Sequence, residues 1–217
     1  TLAPIWHTKG ETARKAMNRL NIVMKHAAAL GLDVDLQAVE KAKALLGKSR
    51  HKAENIPAMP WKEVPTFYQS LSDGTVTHLA LRLLILTGVR SGPLRHLHTD
   101  HLTGDVWTIP AELMKSTVSA ADDFRVPLSA EALAVIDEAK RHARGGWLFP
   151  RVGGGGRRQK DGSQIERAPV ISDMTLSNFM KDAGMDARPH GFRSSLRDWL
   201  AECTDAPHEV AETVLGH

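Results

Sequence analysis

Cysteine is almost absent: Cys203 is the one cysteine in 217 residues. A single thiol excludes an internal disulfide framework and fits a reducing compartment. No apolar run reaches the roughly 18 residues that a membrane span requires. The opening TLAPIWHTKG lacks the apolar core of a signal peptide. No segment repeats. A large excess of one charge is missing too. The net charge is +3 and the isoelectric point is near 9.1, so only local clustering could argue for a polyanionic partner. What is present suits a packed core: 42% of residues are apolar and 24% charged, which excludes disorder as a general description. The length fits one ordinary domain with a smaller one, or a single larger domain. The chain begins without Met and stops at Leu215-Gly216-His217, and is read as a piece of a longer protein.

Apolar periodicity predicts helices over residues 11–30, where Ala13, Met17, Leu20, Met24 and Ala27 recur, and over residues 34–47, both closed by glycine. KSRHKAENIPAMP then loses periodicity and gains proline and charge, which places a boundary near residue 55. Further helices are expected over 61–71, 75–88, SGPLRHLHT, 129–143 with Ser129 as N-cap, 171–184, 190–204 and 207–216. DVWTIP and FRVPLS read as brief strands joined by a polar connection, and WLFP as a short extended piece. The fold class is mainly α with a small antiparallel β-sheet (α+β).

Two stretches invite a functional reading. In RHLHTDHL, His96, His98, Asp100 and His101 have the H-x-H-x-D-H spacing of a dinuclear zinc hydrolase. Such a site needs a loop at the end of a β-strand and further ligands downstream. The run before it, LALRLLILTG, is long for a strand, and the downstream candidates His142 and His190 lie in basic surroundings. Leu94, Leu97 and Leu102 have a packing role, and the three histidines are expected on a polar face beside them. Residues 141–167 carry seven Arg/Lys, at 141, 144, 151, 157, 158, 160 and 167, against two acids, with seven glycines. This is either a solvated loop or a basic arm on a polyanion, holding it through salt-sensitive phosphate contacts. Its GGGGRRQK is no P-loop, since Gly-Lys-Ser/Thr is missing.

Three other pieces carry chemistry together: Leu86-Thr87-Gly88-Val89-Arg90, His190-Gly191-Phe192-Arg193 and Leu215-Gly216-His217. Lys115 lies between the first two. Arginine forks match phosphate oxygens bidentately and stay charged. Fixed cations stabilise the charge that phosphoryl transfer spreads over those oxygens. Histidine and lysine can move protons. His190 and Arg193, three apart at a helix start, share a face.

In their order, spacing and flanking elements, these pieces resemble the tyrosine recombinase (phage integrase) family over residues 56–217. WTIPAELMKS, HGFRSSLRDWLAE and EVAETVLGH are similar to prophage and genomic-island integrases. The resemblance implies that residues 1–55 are the C-terminal part of a helical core-binding domain and that 56–217 are the catalytic domain, truncated before its tyrosine, so that this fragment is expected to bind DNA but to lack the nucleophile. It further implies that Arg90 and Arg193 clamp the scissile phosphate. Lys115 would protonate the leaving 5′-oxygen, His190 would act as base or relay, and His217 would hydrogen-bond the phosphate. A tyrosine would attack phosphorus to give a 3′-phosphotyrosyl link, with no metal or other cofactor. Arg151, Arg157, Arg158, Lys160 and Arg167 would contact DNA. The implied partners are double-stranded attachment sites, a recombination tetramer of this chain and an accessory DNA-bending protein, and the implied location is the cytoplasm, at the nucleoid. Two departures stand out. Pro93 occupies the place, three residues after Arg90, where the family often has an acid. The family's tyrosine follows the LGH motif, whereas the one tyrosine here, Tyr68, lies upstream of Arg90 beside Phe67 and is read as structural. The alternatives are a non-catalytic DNA-binding relic of an integrase and, on HLHTDH, a zinc-dependent hydrolase.

Overall fold

The computed structural model describes residues 2–52, 56–114, 122–151 and 169–216. The chain divides into two compact units, Thr1–Asn55 and Ile56–His217. The first holds α1 (Ala3–Trp6), α2 (Gly10–Ala29) and α3 (Ala38–Leu46). Its core is small: Trp6, Ala13, Met17 and Val39, with Leu2, Ile5 and Leu46 against it. The Trp6 indole donates to the Gly47 carbonyl at 2.9 Å, and Ser49 Oγ donates to the Trp6 carbonyl at 2.9 Å. Along the apolar stripe on α2, Ala13 and Met17 are buried, Met24 and Ala27 are half-buried, and Leu20 is exposed. The second helix begins later than its apolar pattern predicts. Asp35 Oδ1 accepts the Gln37 N–H at 2.8 Å, and this side-chain turn competes with helix over 34–37.

The second unit is built around α5 (Val76–Thr87), which follows α4 (Val64–Ser70). Thr75 caps α5 by accepting the His78 N–H, and Gly88 ends it in the left-handed conformation at φ +61°. Leu79, Ala80, Leu81, Leu83 and Leu84 are buried on several sides, which explains why this helix shows little amphipathic contrast. After α6 (Ser91–Arg95) come β1 (Leu102–Thr103), β2 (Val106–Ile109) and β3 (Phe124–Pro127), an antiparallel sheet in the order β1-β2-β3. Trp107 pairs with Leu102 on one side and Val126 on the other, and its side chain is buried. The remaining helices are α7 (Ala130–Lys140), capped by Ser129, α8 (Thr175–Asp182), α9 (Gly191–Cys203) and α10 (His208–Val214). α7, α8 and α9 pack on α5. The architecture is therefore mainly helical with one small antiparallel sheet, as the patterning predicts. The sheet has a third strand, β1, which two residues cannot announce. No helix among the described residues is long and apolar enough to cross a membrane.

Candidate active site

The site grows from the end of α5. Gly88 is required twice: φ is +61°, and a Cβ there would stand 2.6 Å from Leu196 Cδ2 and 3.6 Å from Leu215 Cδ2. Beyond this bend the chain extends through Val89, and Arg90 sits as N-cap of α6. Pro93 is then the third residue of α6. Its missing N–H is no loss in a first helical turn, where that donor has no intrahelical partner. The Pro93 ring lies with Ile109, Phe124 and Leu215 around Arg90 and Arg193.

α9 is seated by small residues. A Cβ on Gly191 would collide with the Pro57 carbonyl and approach Ala58 Cα to 2.8 Å, so only glycine lets the helix start meet this backbone. Ser195 Oγ donates to the Met59 carbonyl at 2.5 Å. Arg193 consequently points inward and is only 5% exposed. It donates through Nη1 to the Gly88 carbonyl at 2.6 Å and through Nη2 to the Leu215 carbonyl at 2.5 Å. Arg90 Nη1 donates to the Gly216 carbonyl at 3.2 Å. Those last carbonyls follow α10 and carry the negative partial charge of a helix end. Burial, and then the like charge of Arg90, push Arg193 down to about 10, while Glu212 acts in the opposite direction. Arg193 therefore stays charged at neutral pH. Two cations held this close favour an anion beside them.

The structure thus brings together the bend at 88–90, Arg193 and the 215–216 turn. His190 is exposed at the N-cap of α9, one turn before Arg193. Arg151 is half-buried where the chain pairs with itself: its N–H donates to the Pro169 carbonyl at 2.9 Å, and Ile171 N–H to the Phe149 carbonyl at 3.0 Å. Lys115, Arg157, Arg158, Lys160, Arg167 and His217 lie outside the described residues.

A model of the phage integrase family matches residues 58–217. The chain belongs to that family. It is 26% identical over 227 residues to the integrase of Enterobacteria phage P4, covering 96% of this chain and 48% of that protein. The chain thus spans about half the length of this curated relative. Its fold is that of the Tn1549 transposon integrase (residues 82–397) in complex with circular intermediate DNA, with TM-score 0.63, 15% identity, and coverage of 99% and 75% of the two chains. It is likewise that of a lambda integrase (75–356) dimer bound to a COC′ core site, with TM-score 0.64, 17% identity, and coverage of 100% and 73%. A lambda integrase tetramer bound to a Holliday junction aligns with TM-score 0.63, 18% identity, and coverage of 98% and 60%.

Against this family background, Tyr68 has a different occupation from a nucleophile. Its hydroxyl donates to Glu131 Oε1 at 2.6 Å, and the Arg82 guanidinium lies 5.0 Å from its ring centre. Burial first, and then the bond to Glu131, push the phenol up. Arg82 Nη2 donates to the same carboxylate oxygen at 2.9 Å, so the group braces α4, α5 and α7.

RHLHTDHL departs from its expected polar surface: His96, His98 and His101 are all partly buried and build a turn. His96 Nδ1 donates to the Gly92 carbonyl at 2.9 Å. His98 Nε2 donates to the Gly145 carbonyl at 3.0 Å, its Nδ1 accepts the Asp100 N–H at 3.2 Å, and its ring stands edge-on to Trp147 with centres 4.8 Å apart. His101 Nδ1 accepts the His98 N–H at 3.2 Å. Both nitrogens of His98 are thus spent on backbone, which leaves it no lone pair for a metal. Among the described residues, no group of three or more His, Cys, Asp or Glu is arranged to hold a metal ion. The expected helix over SGPLRHLHT accordingly stops at Arg95.

Gly191, as a contact residue, and Ser195, Arg197 and Glu212 shape the site without standing out in the sequence. Arg197 Nε donates to Glu212 Oε1 at 3.0 Å between α9 and α10. One signal was available: Arg193 and Arg197 are one helical turn apart, so they share a face.

Proposed function

We propose that this chain is the catalytic part of a site-specific DNA recombinase that integrates or excises a mobile element by phosphoryl transfer. The observation that carries this reading is the convergence of Arg90 and Arg193 on the 215–216 turn, in a member of the phage integrase family. The two guanidiniums clamp the scissile phosphate and stabilise its pentacoordinate transition state. Phosphate between them also relieves their mutual repulsion, so binding and charge support each other. Lys115 donates the proton to the leaving 5′-oxygen, His190 accepts or relays the nucleophile's proton, and His217 hydrogen-bonds a phosphate oxygen. The tyrosine oxygen–phosphorus bond forms as the phosphorus–5′-oxygen bond breaks, leaving a 3′-phosphotyrosyl link and a 5′-hydroxyl. Tyr68 is committed elsewhere, so the nucleophile is a tyrosine beyond His217 or one from a neighbouring subunit. Residues 1–55 belong to the DNA-gripping helical domain. Arg151, Arg157, Arg158, Lys160 and Arg167 add sequence-independent phosphate contacts.

The solved relatives were captured on core-site DNA, on circular-intermediate DNA and as a tetramer on a Holliday junction. Carried over to this chain, they support duplex attachment sites as substrate and a tetramer as the active assembly. The test is covalent-adduct formation by the full-length gene product on a nicked duplex spanning a junction between the element and its host DNA. An adduct that is linked through tyrosine at the 3′ side, leaves a 5′-hydroxyl and is indifferent to chelator is the expected result. DNA binding without any adduct would instead establish a non-catalytic DNA-binding relic.

A further inference from the structure

Glu212 stands beside two arginines of α9. It lies on α10, one turn before Gly216, and accepts from Arg197 Nε on α9 at 3.0 Å. The two side chains are 27% and 32% exposed, so solvent screens their pairing only in part. His208 reaches the same carboxylate oxygen at 3.8 Å. Arg193 precedes Arg197 by one turn of α9, and the Glu212 charge favours its ionised form against burial and against Arg90. Position 93, where an acid could brace Arg90, is a buried proline.

We infer that Glu212 is the positioning acid of the two-arginine site, holding Arg193 and the C-terminal end of α10 in register. Its carboxylate works in two ways. The bond to Arg197 fixes α10 against α9, and so fixes the Leu215 and Gly216 carbonyls on which Arg193 and Arg90 rest. Its charge offsets the repulsion between those arginines before phosphate arrives. A carboxylate facing the substrate would repel phosphate. Paired with Arg197, its charge is directed between the helices. Glu212 touches neither DNA nor the reacting atoms in this scheme; it acts through Arg193. The inference rests on the phosphate-clamp reading above.

The test compares Glu212→Gln, Glu212→Asp and Arg197→Met in the full-length protein on the nicked junction duplex. The adduct rate at saturating DNA is followed from about pH 8 to about pH 11, with DNA affinity and melting temperature measured in parallel. Among the described residues, Arg90, Arg193, Arg197, His208 and Glu212 are the charged or titratable groups in this cluster on α6, α9 and α10. Glu212→Gln keeps an acceptor for Arg197 but removes the charge. It is expected to lower the rate about tenfold, less than the hundredfold or more that loss of a direct oxyanion donor costs. It also brings the alkaline limb to lower pH, because Arg193 loses its proton sooner, and leaves affinity within about threefold. Glu212→Asp restores part of the rate. Arg197→Met lowers the melting temperature without moving the limb. A wild-type limb in Glu212→Gln, or the same displaced limb in Arg197→Met, reduces the pair to a helix tie and overturns the inference. If the wild type binds DNA but forms no adduct, the recombinase reading falls and this inference with it. A wild-type adduct with an unchanged Glu212→Gln profile overturns only the inference.

Discussion

Replacing Gly88 by alanine should cost stability twice over, and the two costs can be separated. At φ +61°, an L-residue at this helix end pays the left-handed penalty, about 1–2 kcal/mol. The new Cβ would also stand 2.6 Å from Leu196 Cδ2, below any ordinary carbon contact, so Leu196 must leave its place in the packing. Overpacking of this kind costs about 1–3 kcal/mol. The sum is about 2–5 kcal/mol. Gly184, at the end of α8, supplies the control: φ is +73°, with nothing within 4 Å of its virtual Cβ. Gly184→Ala should cost the backbone part alone, about 1–2 kcal/mol. The assay is urea denaturation followed by tryptophan fluorescence, since Trp61, Trp107, Trp147 and Trp199 report on the second unit. Gly88→Ala should also impair DNA cleavage, because the displaced carbonyl is an anchor of Arg193. Equal destabilisation by the two substitutions would refute tight packing at the bend. So would full cleavage by Gly88→Ala.

Three further outcomes follow from the same structure. Tyr68→Phe should cost about 1 kcal/mol through the lost bond to Glu131, measured by denaturation, and leave DNA cleavage intact. His101 is held below its ordinary range by burial first and by the neighbouring His98 next. The unfolded chain then binds the proton more readily, so stability should fall as pH drops through the unfolded value of about 6.5 and level off below the folded one. His101→Gln should flatten that stretch of a stability–pH curve. DNA affinity should decline steeply and linearly on a logarithmic salt scale, and a salt-insensitive complex would contradict phosphate contacts by the arginines.

What the sequence discloses is governed by range. The limits of α5 and α7 follow from Thr75, Gly88 and Ser129, local caps that act within one turn. The mainly helical class with one hairpin region was equally legible from periodicity. Arg90 and Arg193 could be singled out because their flanking residues form short motifs. Their anchors could not: the acceptors are the backbone carbonyls of Gly88, Leu215 and Gly216, and every residue has a carbonyl. Ser195 reaches Met59, 136 positions away in sequence, and Trp61 reaches Glu202 across 141, pairings that no pattern within one helix encodes. The histidine turn misled for the converse reason. Its spacing suited a metal, but the partners that decide its role, Trp147 and the Gly145 carbonyl, lie more than 40 residues away.

The central claim is that Arg90 and Arg193 act together on one phosphate. Its most direct test separates binding from cleavage in Arg90→Ala and Arg193→Ala of the full-length protein. Gel shift measures affinity for the attachment duplex, and a nicked duplex traps the covalent adduct. DNA binding should be retained in large part and adduct formation abolished in both variants, with intact folding confirmed by melting temperature. Adduct formation at the wild-type rate by either variant would contradict that claim.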